Sequence, residues 1–450
     1  MEPSFNELDS GYVSLGQDES YYQNLRRLLG ATSARRVLLA LQDLALDSAR
    51  FVSLQTRLVV SESLLRNVSS SSVVGQYARI AESGPSQEPY RFTFVRRSQN
   101  RYETEALRLG FVVTPDSSPP SNVHVIIGRN GSGKTSVLRS MGRVMLGNTI
   151  STDLDGFFES DSEGPDMRVA NLIYVAFSAF DEPALPVEDS KTAFDTPYTY
   201  VGLHYQAPDV LDGQVPARAA RLPGELASMF AESAWTVVQT KSYELWREAL
   251  RNLESDPNFA EADVSALARS GRSEDALDQA SFLSEAKTIY SKLSSGHRIV
   301  LLTVTRLVES VSERTMVLMD EPEGHLHPPL LAAFTRTLSN LMQSRNGVAI
   351  VATHSPVILQ EAPAACVWKV RRVGDVQFAE RPTIETFGEN VGTLTNSIFG
   401  LEVTESGFHR LVIDAAVELG SYEAVLRKYG DNLGFDARVT LQAWFAQRSS

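Results

Sequence analysis

The 450-residue chain has a single cysteine, Cys366, which excludes an intramolecular disulfide framework. It has no run of 18 apolar residues, which excludes a hydrophobic membrane-spanning helix. The opening MEPSFNELDSGY carries acids and lacks the basic-then-apolar layout of a secretory leader, so a cytoplasmic protein is expected. Positive charge is scarce: 55 acids oppose 42 bases, giving a formal net charge of −13, and only seven of the bases are lysine. A surface coated for nucleic acid is therefore disfavoured, because phosphate binding needs clustered cations, and only local patches remain. No internal repeat of fixed period is present, which argues against a solenoid or propeller. What is left, 43% hydrophobic and 22% charged, is an ordinary globular composition with length for at least one large core.

Residues from about 20 to 66 show apolar spacings of three and four in NLRRLLG and ARRVLLALQDLALDSARF, predicting helices. Serine- and proline-containing links follow, then the strand-like pieces YRFTFVRR and LGFVV. The acidic stretch Asp153 to Asp166 fails the EF-hand spacing and reads as a solvated loop. In the second half, TMVLMDEP and GVAIVATHSP are continuous apolar strands around the helix pattern PLLAAFTRTLSNLMQ. That is the βαβ grammar of a parallel sheet working at its strand C-termini. The expected organisation is an α/β fold with a mixed, mainly parallel sheet. Its parts are a helical N-terminal region (1–88), a first α/β lobe (89–181), a helical insertion (182–290), a second α/β lobe (291–375) and a C-terminal interaction region (376–450).

The chemistry starts at VHVIIGRNGSGKTSVL. Gly128, Arg129, Asn130, Gly131, Ser132, Gly133, Lys134 and Thr135 fit G-x4-G-K-[ST], between a predicted strand and a predicted helix. Glycines let backbone N–H groups wrap phosphate oxygens, and Ser136 continues the helix start with its partial positive charge. Lys134 is expected to reach the β and γ phosphates of ATP, and Thr135 to ligate Mg2+. Downstream, MVLMDEP puts Asp320 at a strand end to hold Mg2+ and Glu321 beside it to polarise an attacking water. In KLSSGHRIVLL, Ser294 with the N–H groups of Ser295 and Gly296 can bind a phosphate at a helix start, although alone the pattern is an N-cap. In ATHSP, His354 follows a strand, where an imidazole can hydrogen-bond a γ-phosphate or the catalytic water, although alone it could be a core histidine.

Together and in this order, these pieces resemble the ABC-type ATPases, with Walker A, a signature, Walker B and an H-switch over roughly residues 90–375. The resemblance implies a homodimer or larger homo-oligomer in which the signature of one subunit faces the Walker A of another. The form DEPEGHLHP resembles the soluble OLD and RecF branch rather than transporters. No glutamine stands at the Q-loop position. FSAFDEP occupies it, with Ser178 or Asp181 as the expected γ-phosphate and Mg2+ sensor. In the signature, Ser295 replaces the first glycine and His297 the glutamine, while His325 and His327 read as helix-start packing residues or interface contacts. Further on, ATHSPVILQEAPAACVWKVRR and ETFGENVGTLTNSIFGLE resemble the Septu (PtuA-like) antiphage ATPases. That likeness implies an HNH nuclease partner, with Phe387, Phe399 and Leu401 forming either a docking surface or a cap over the sheet. The rival reading is a RecF-like ATPase contacting DNA through Arg96, Arg97 and Arg101, or through Lys369, Arg371 and Arg372. A self-contained nuclease of the OLD type does not fit the short chain that follows His354.

Overall fold

The computed structural model describes residues 6–66, 68, 70–82, 87–96, 107–147, 155–159, 169–177, 185–186, 190–191, 197–206, 218–240, 242–271, 278–374, 376–399 and 407–448. The strands are β1 (Tyr90–Arg96), β2 (Leu107–Val113), β3 (Val123–Ile127), β4 (Phe157–Glu159), β5 (Asn171–Ala176), β6 (Ser190–Lys191), β7 (Pro197–Gly202), β8 (His204–Gln206), β9 (Arg218–Ala220), β10 (Thr315–Asp320), β11 (Val348–Thr353), β12 (Val367–Val373) and β13 (Val376–Glu380). Eight of them form one sheet in the order β13-β12-β3-β11-β10-β5-β7-β6. The six inner strands run parallel, and an antiparallel strand closes each edge.

The apolar runs behave as a two-faced buried sheet requires. All six residues of β10 and of β11 are buried. Val317 and Met319 join one core with the helices Pro223–Gln239, Tyr243–Leu253, Gln279–Lys292, Ser295–Ser310 and Pro328–Ser344, while Met316 and Leu318 join a second core on the opposite face. This alternation is the period of two that a strand imposes. The second core also holds the helix Lys134–Leu146 and the antiparallel sheet β2-β1-β4. Within the first core Trp246 is fully buried, and its indole N–H donates to Thr305 Oγ1 at 3.0 Å, tying the insertion to the signature helix.

Two expectations need correction. The stretch 182–290 is not all helical, because β7 pairs in parallel with β5 and extends the main sheet. Its Tyr-Thr-Tyr-Val run is aromatic and β-branched, a composition that favours strands. Among the described residues of this stretch, the first helix begins at Pro223. Likewise, 376–450 is not a separate region throughout, since β13 is an edge strand of the same sheet. Beyond it, three helices, Gly407–Leu419, Tyr422–Tyr429 and Phe435–Arg448, share a small core around Val412, Val425 and Leu441. The N-terminal helices bury their own cluster around Tyr22, Leu38 and Phe51. Among the described residues, no helix is long and apolar enough to cross a membrane.

Candidate functional site

Strands β3, β10 and β11 lie side by side and end at one edge of the sheet, which brings three distant segments together. After β3 the chain turns through Gly131 (φ 78°) and Gly133 (φ 89°), left-handed conformations that cost a side-chain-bearing residue about 1–2 kcal/mol. Gly128 is required for a different reason. A Cβ there would lie 2.2 Å from the Val370 carbonyl oxygen and 2.7 Å from Ser132 Oγ. The buried Ser132 hydroxyl has no hydrogen-bond partner among the described residues. Lys134 opens the helix yet is buried, its Nζ donating to the carbonyls of Gly128 (3.0 Å) and Arg129 (3.1 Å). Burial pushes its pKa down, opposed by the carboxylates of Glu321, Glu323 and Asp320. The loop thus concentrates positive charge and N–H groups at a helix start, as an anion site needs.

Walker A and Walker B meet directly. Thr135 Oγ1 donates to Asp320 Oδ1 at 2.9 Å, which pairs two oxygens of the hard kind that Mg2+ prefers. Glu321 follows in the left-handed region (φ 45°, ψ 58°), anchored by its N–H to the Ala352 carbonyl at 2.9 Å. Its Oε1 stands 3.9 Å from Lys134 Nζ and 3.8 Å from His354 Nδ1. Both Glu321 and His354 are partly open to solvent. Sequence reasoning missed Glu323, whose Oε1 accepts from the Thr353 hydroxyl (2.5 Å) and the His354 N–H (2.7 Å) and faces His354 Nδ1 at 3.1 Å.

The serine Ser294 caps the helix Ser295–Ser310 by position, but its side chain accepts no backbone N–H of the first turn. Ser294 Oγ instead lies 2.6 Å from His297 Nδ1. Ser294 and Ser295 are exposed, while Gly296 and His297 are buried.

Protein ea59 of Escherichia phage lambda is 38% identical over 467 residues, covering 100% of this chain and 86% of that protein. The chain belongs to the ea59 family. Residues 233–360 match the family described as "AAA domain, putative AbiEii toxin, Type IV TA system". Solved structures with similarity include an ATP-binding cassette of an ABC transporter in its ADP conformation, at 13% identity and TM-score 0.35 over 71% of this chain and 98% of that one. The SMC head domain from Thermotoga maritima aligns at 13% identity and TM-score 0.31, over 66% and 100%. Residues 233–360 of this ea59-family chain thus resemble an AAA domain, and its glycine-rich loop sits at the end of a central strand of the mainly parallel sheet.

Other expected residues fall into place unevenly in the ea59-family chain. Ser178 and Asp181, the stand-ins for the Q-loop, lie outside the described residues, as do Arg97, Arg101 and Leu401. Arg96 turns inward, donating to Ser136 Oγ (3.1 Å) and to Gln377 Oε1, and Gln377 in turn donates to the Ser132 carbonyl at 2.6 Å. Neither Arg96 nor Gln377 carried a sequence signal for this bracing of the loop, because it depends on β1 and β13 arriving beside it. Arg129 and Lys369 cap the end of the helix Val391–Phe399, donating to the carbonyls of Phe399 (3.1 Å) and Ser397 (3.0 Å). In that helix Leu394 and Ile398 are buried in the main core and Phe399 packs against it, whereas Phe387 is 40% exposed. Lys369 and Arg371 both pair with Glu380.

Proposed function

We propose that this protein binds and hydrolyses ATP with Mg2+, that two or more copies assemble head to tail around nucleotide, and that closure regulates a partner nuclease of the HNH kind. The 2.9 Å contact between Thr135 Oγ1 and Asp320 Oδ1 carries the reading, because it joins residues 185 positions apart at the mouth of a glycine-rich loop. Thr135 and Asp320 would hold the Mg2+, which when bound neutralises phosphate charge and orients the transferred group. The loop N–H groups and Lys134 bind the phosphates. Glu321, within reach of both Lys134 and His354, is placed to take the proton of the attacking water, and His354 to hydrogen-bond the γ-phosphate. Ser294 and Ser295 are exposed at a helix start with Gly296 beneath them, an arrangement suited to close on the phosphate of a second copy. The nuclease reading is supported by the resemblance of the segment after His354 to Septu-type proteins and by the exposure of Phe387.

Phosphate release and equilibrium nucleotide binding test the enzymatic core. Lys134→Ala removes a charge-assisted contact and should weaken binding. Glu321→Gln should bind normally and lose on the order of 10^2- to 10^4-fold in turnover. Unchanged turnover in Glu321→Gln contradicts the assignment of the base.

A further inference from the structure

The buried histidine in the signature belongs to a chain of hydrogen bonds that the ATPase reading leaves unexplained. Ser294 Oγ is 2.6 Å from His297 Nδ1, and on the far side of the ring Nε2 is 3.0 Å from Asp256 Oδ1. Asp256 comes from the insertion, where it caps the helix Pro257–Ala262 by accepting the Asn258 N–H at 2.9 Å. Its second oxygen lies 3.5 Å from His327 Nε2, on the segment that follows Walker B. Among the described residues, the titratable groups recorded facing His297 are Asp256 and His327. Ser294, Asn258 and the edge-on Phe259 ring complete its surroundings.

Proton positions follow from the partners. An ionised carboxylate only accepts, so His297 Nε2 carries a hydrogen towards Asp256, with the Asn258 amide turned to match. His327 Nδ1 accepts the Leu330 N–H at 3.4 Å, which puts its hydrogen on Nε2 towards Asp256 as well. In that arrangement both Nε2 atoms direct hydrogens at Asp256, whereas a cation among these three close ligand atoms would take the place of those hydrogens, a difference the test below resolves. With His297 neutral, Nδ1 holds a lone pair and takes the only hydroxyl hydrogen of Ser294. The serine then presents lone pairs alone to an approaching phosphate. With a proton added from solvent, Nδ1–H donates to Ser294 Oγ and the hydroxyl hydrogen is released to the phosphate.

We infer that His297 is a positioning residue for Ser294, held by Asp256 and His327, and that phosphate capture by the signature is coupled to uptake of one proton on its ring. The inference rests on the head-to-tail reading above.

The test follows ATP-driven association of the full chain in a Glu321→Gln background by sedimentation, between pH 7.0 and 8.5 with Mg2+ and ATP. The association constant should rise as pH falls, approaching about tenfold per pH unit for one proton taken up. In His297→Gln, the amide donates to Ser294 at every pH, so association should persist with that slope removed. Because this variant could misfold, proton uptake on association is also measured without it, by calorimetry in two buffers of different ionisation enthalpy. About one proton taken up supports the inference. No uptake, or an undiminished slope in a folded His297→Gln, overturns it and leaves the dimer standing. Absence of ATP-driven association at every pH overturns the dimer and the inference together. Stoichiometric metal that is lost in His297→Gln overturns the inference in favour of a metal site.

Discussion

Glu323 Oε1 faces His354 Nδ1 at 3.1 Å and accepts the same residue's backbone N–H at 2.7 Å, so one carboxylate oxygen fixes both the ring and the chain that carries it. Glu323 is therefore a positioning residue for His354, the residue proposed to hydrogen-bond the γ-phosphate. Glu323→Gln keeps the size of the side chain but replaces one oxygen by a donor, which loosens that hold. Turnover should fall on the order of 10- to 100-fold with little change in the KM for ATP, the split expected when geometry rather than affinity is lost. Steady-state phosphate release checks this, and a rise in KM at constant kcat would argue for direct nucleotide binding by Glu323 instead.

Gly128 tests the packing of the loop against the sheet. A methyl group there would sit 2.2 Å from the Val370 carbonyl, a backbone atom that cannot swing away. Gly128→Ala should therefore lower stability by about 1–3 kcal/mol through overpacking and impair nucleotide binding with it. Gly324→Ala, where nothing lies within 4 Å, serves as the neutral control in thermal melts.

His124 predicts an acid sensitivity unrelated to catalysis. Burial on β3 pushes its pKa down to about 3, helped by the charge of Arg381 and opposed by the hydrogen bond to the Val112 carbonyl. The folded pKa lies below the unfolded value of 6.5, so the unfolded chain binds the extra proton. The stability this group contributes is complete above about pH 6.5 and is lost as pH falls towards 3. Between pH 7 and 5, wild type should lose about 2 kcal/mol more than His124→Gln, read from denaturant melts. Equal losses would contradict a buried neutral imidazole.

The sheet and its motifs were legible because they are local. Val123–Ile127, interrupted only by His124, and the apolar stretches within Thr315–Asp320 and Val348–Thr353 lead to Gly128, Asp320 and Thr353, a strand-then-polar-end pattern that is read locally. β7 was not legible, because the short Tyr198-Thr-Tyr-Val201 run stands amid polar sequence and becomes a strand by pairing with β5. The support around the site was equally hidden. Asp256 lies 41 residues from His297 in sequence, and Gln377 lies 245 from Ser132. Nothing in their own neighbourhoods signals the contact. Glu323 was visible in DEPEGHLHP, but its role needed the position of His354 beside it.

The central claim, that one subunit's signature completes another's Walker A site, is tested most directly by mixing two inactive variants. Lys134→Ala disables the loop and leaves Ser294 intact, while Ser294→Arg blocks the neighbour's phosphate site and leaves the loop intact. In a head-to-tail dimer each mixed pair holds one site built from two undamaged halves. Equal mixing should therefore restore phosphate release to about a quarter of the wild-type rate, from half the dimers with one site each. Release no greater than the sum of the two variants measured separately would contradict a site shared between subunits.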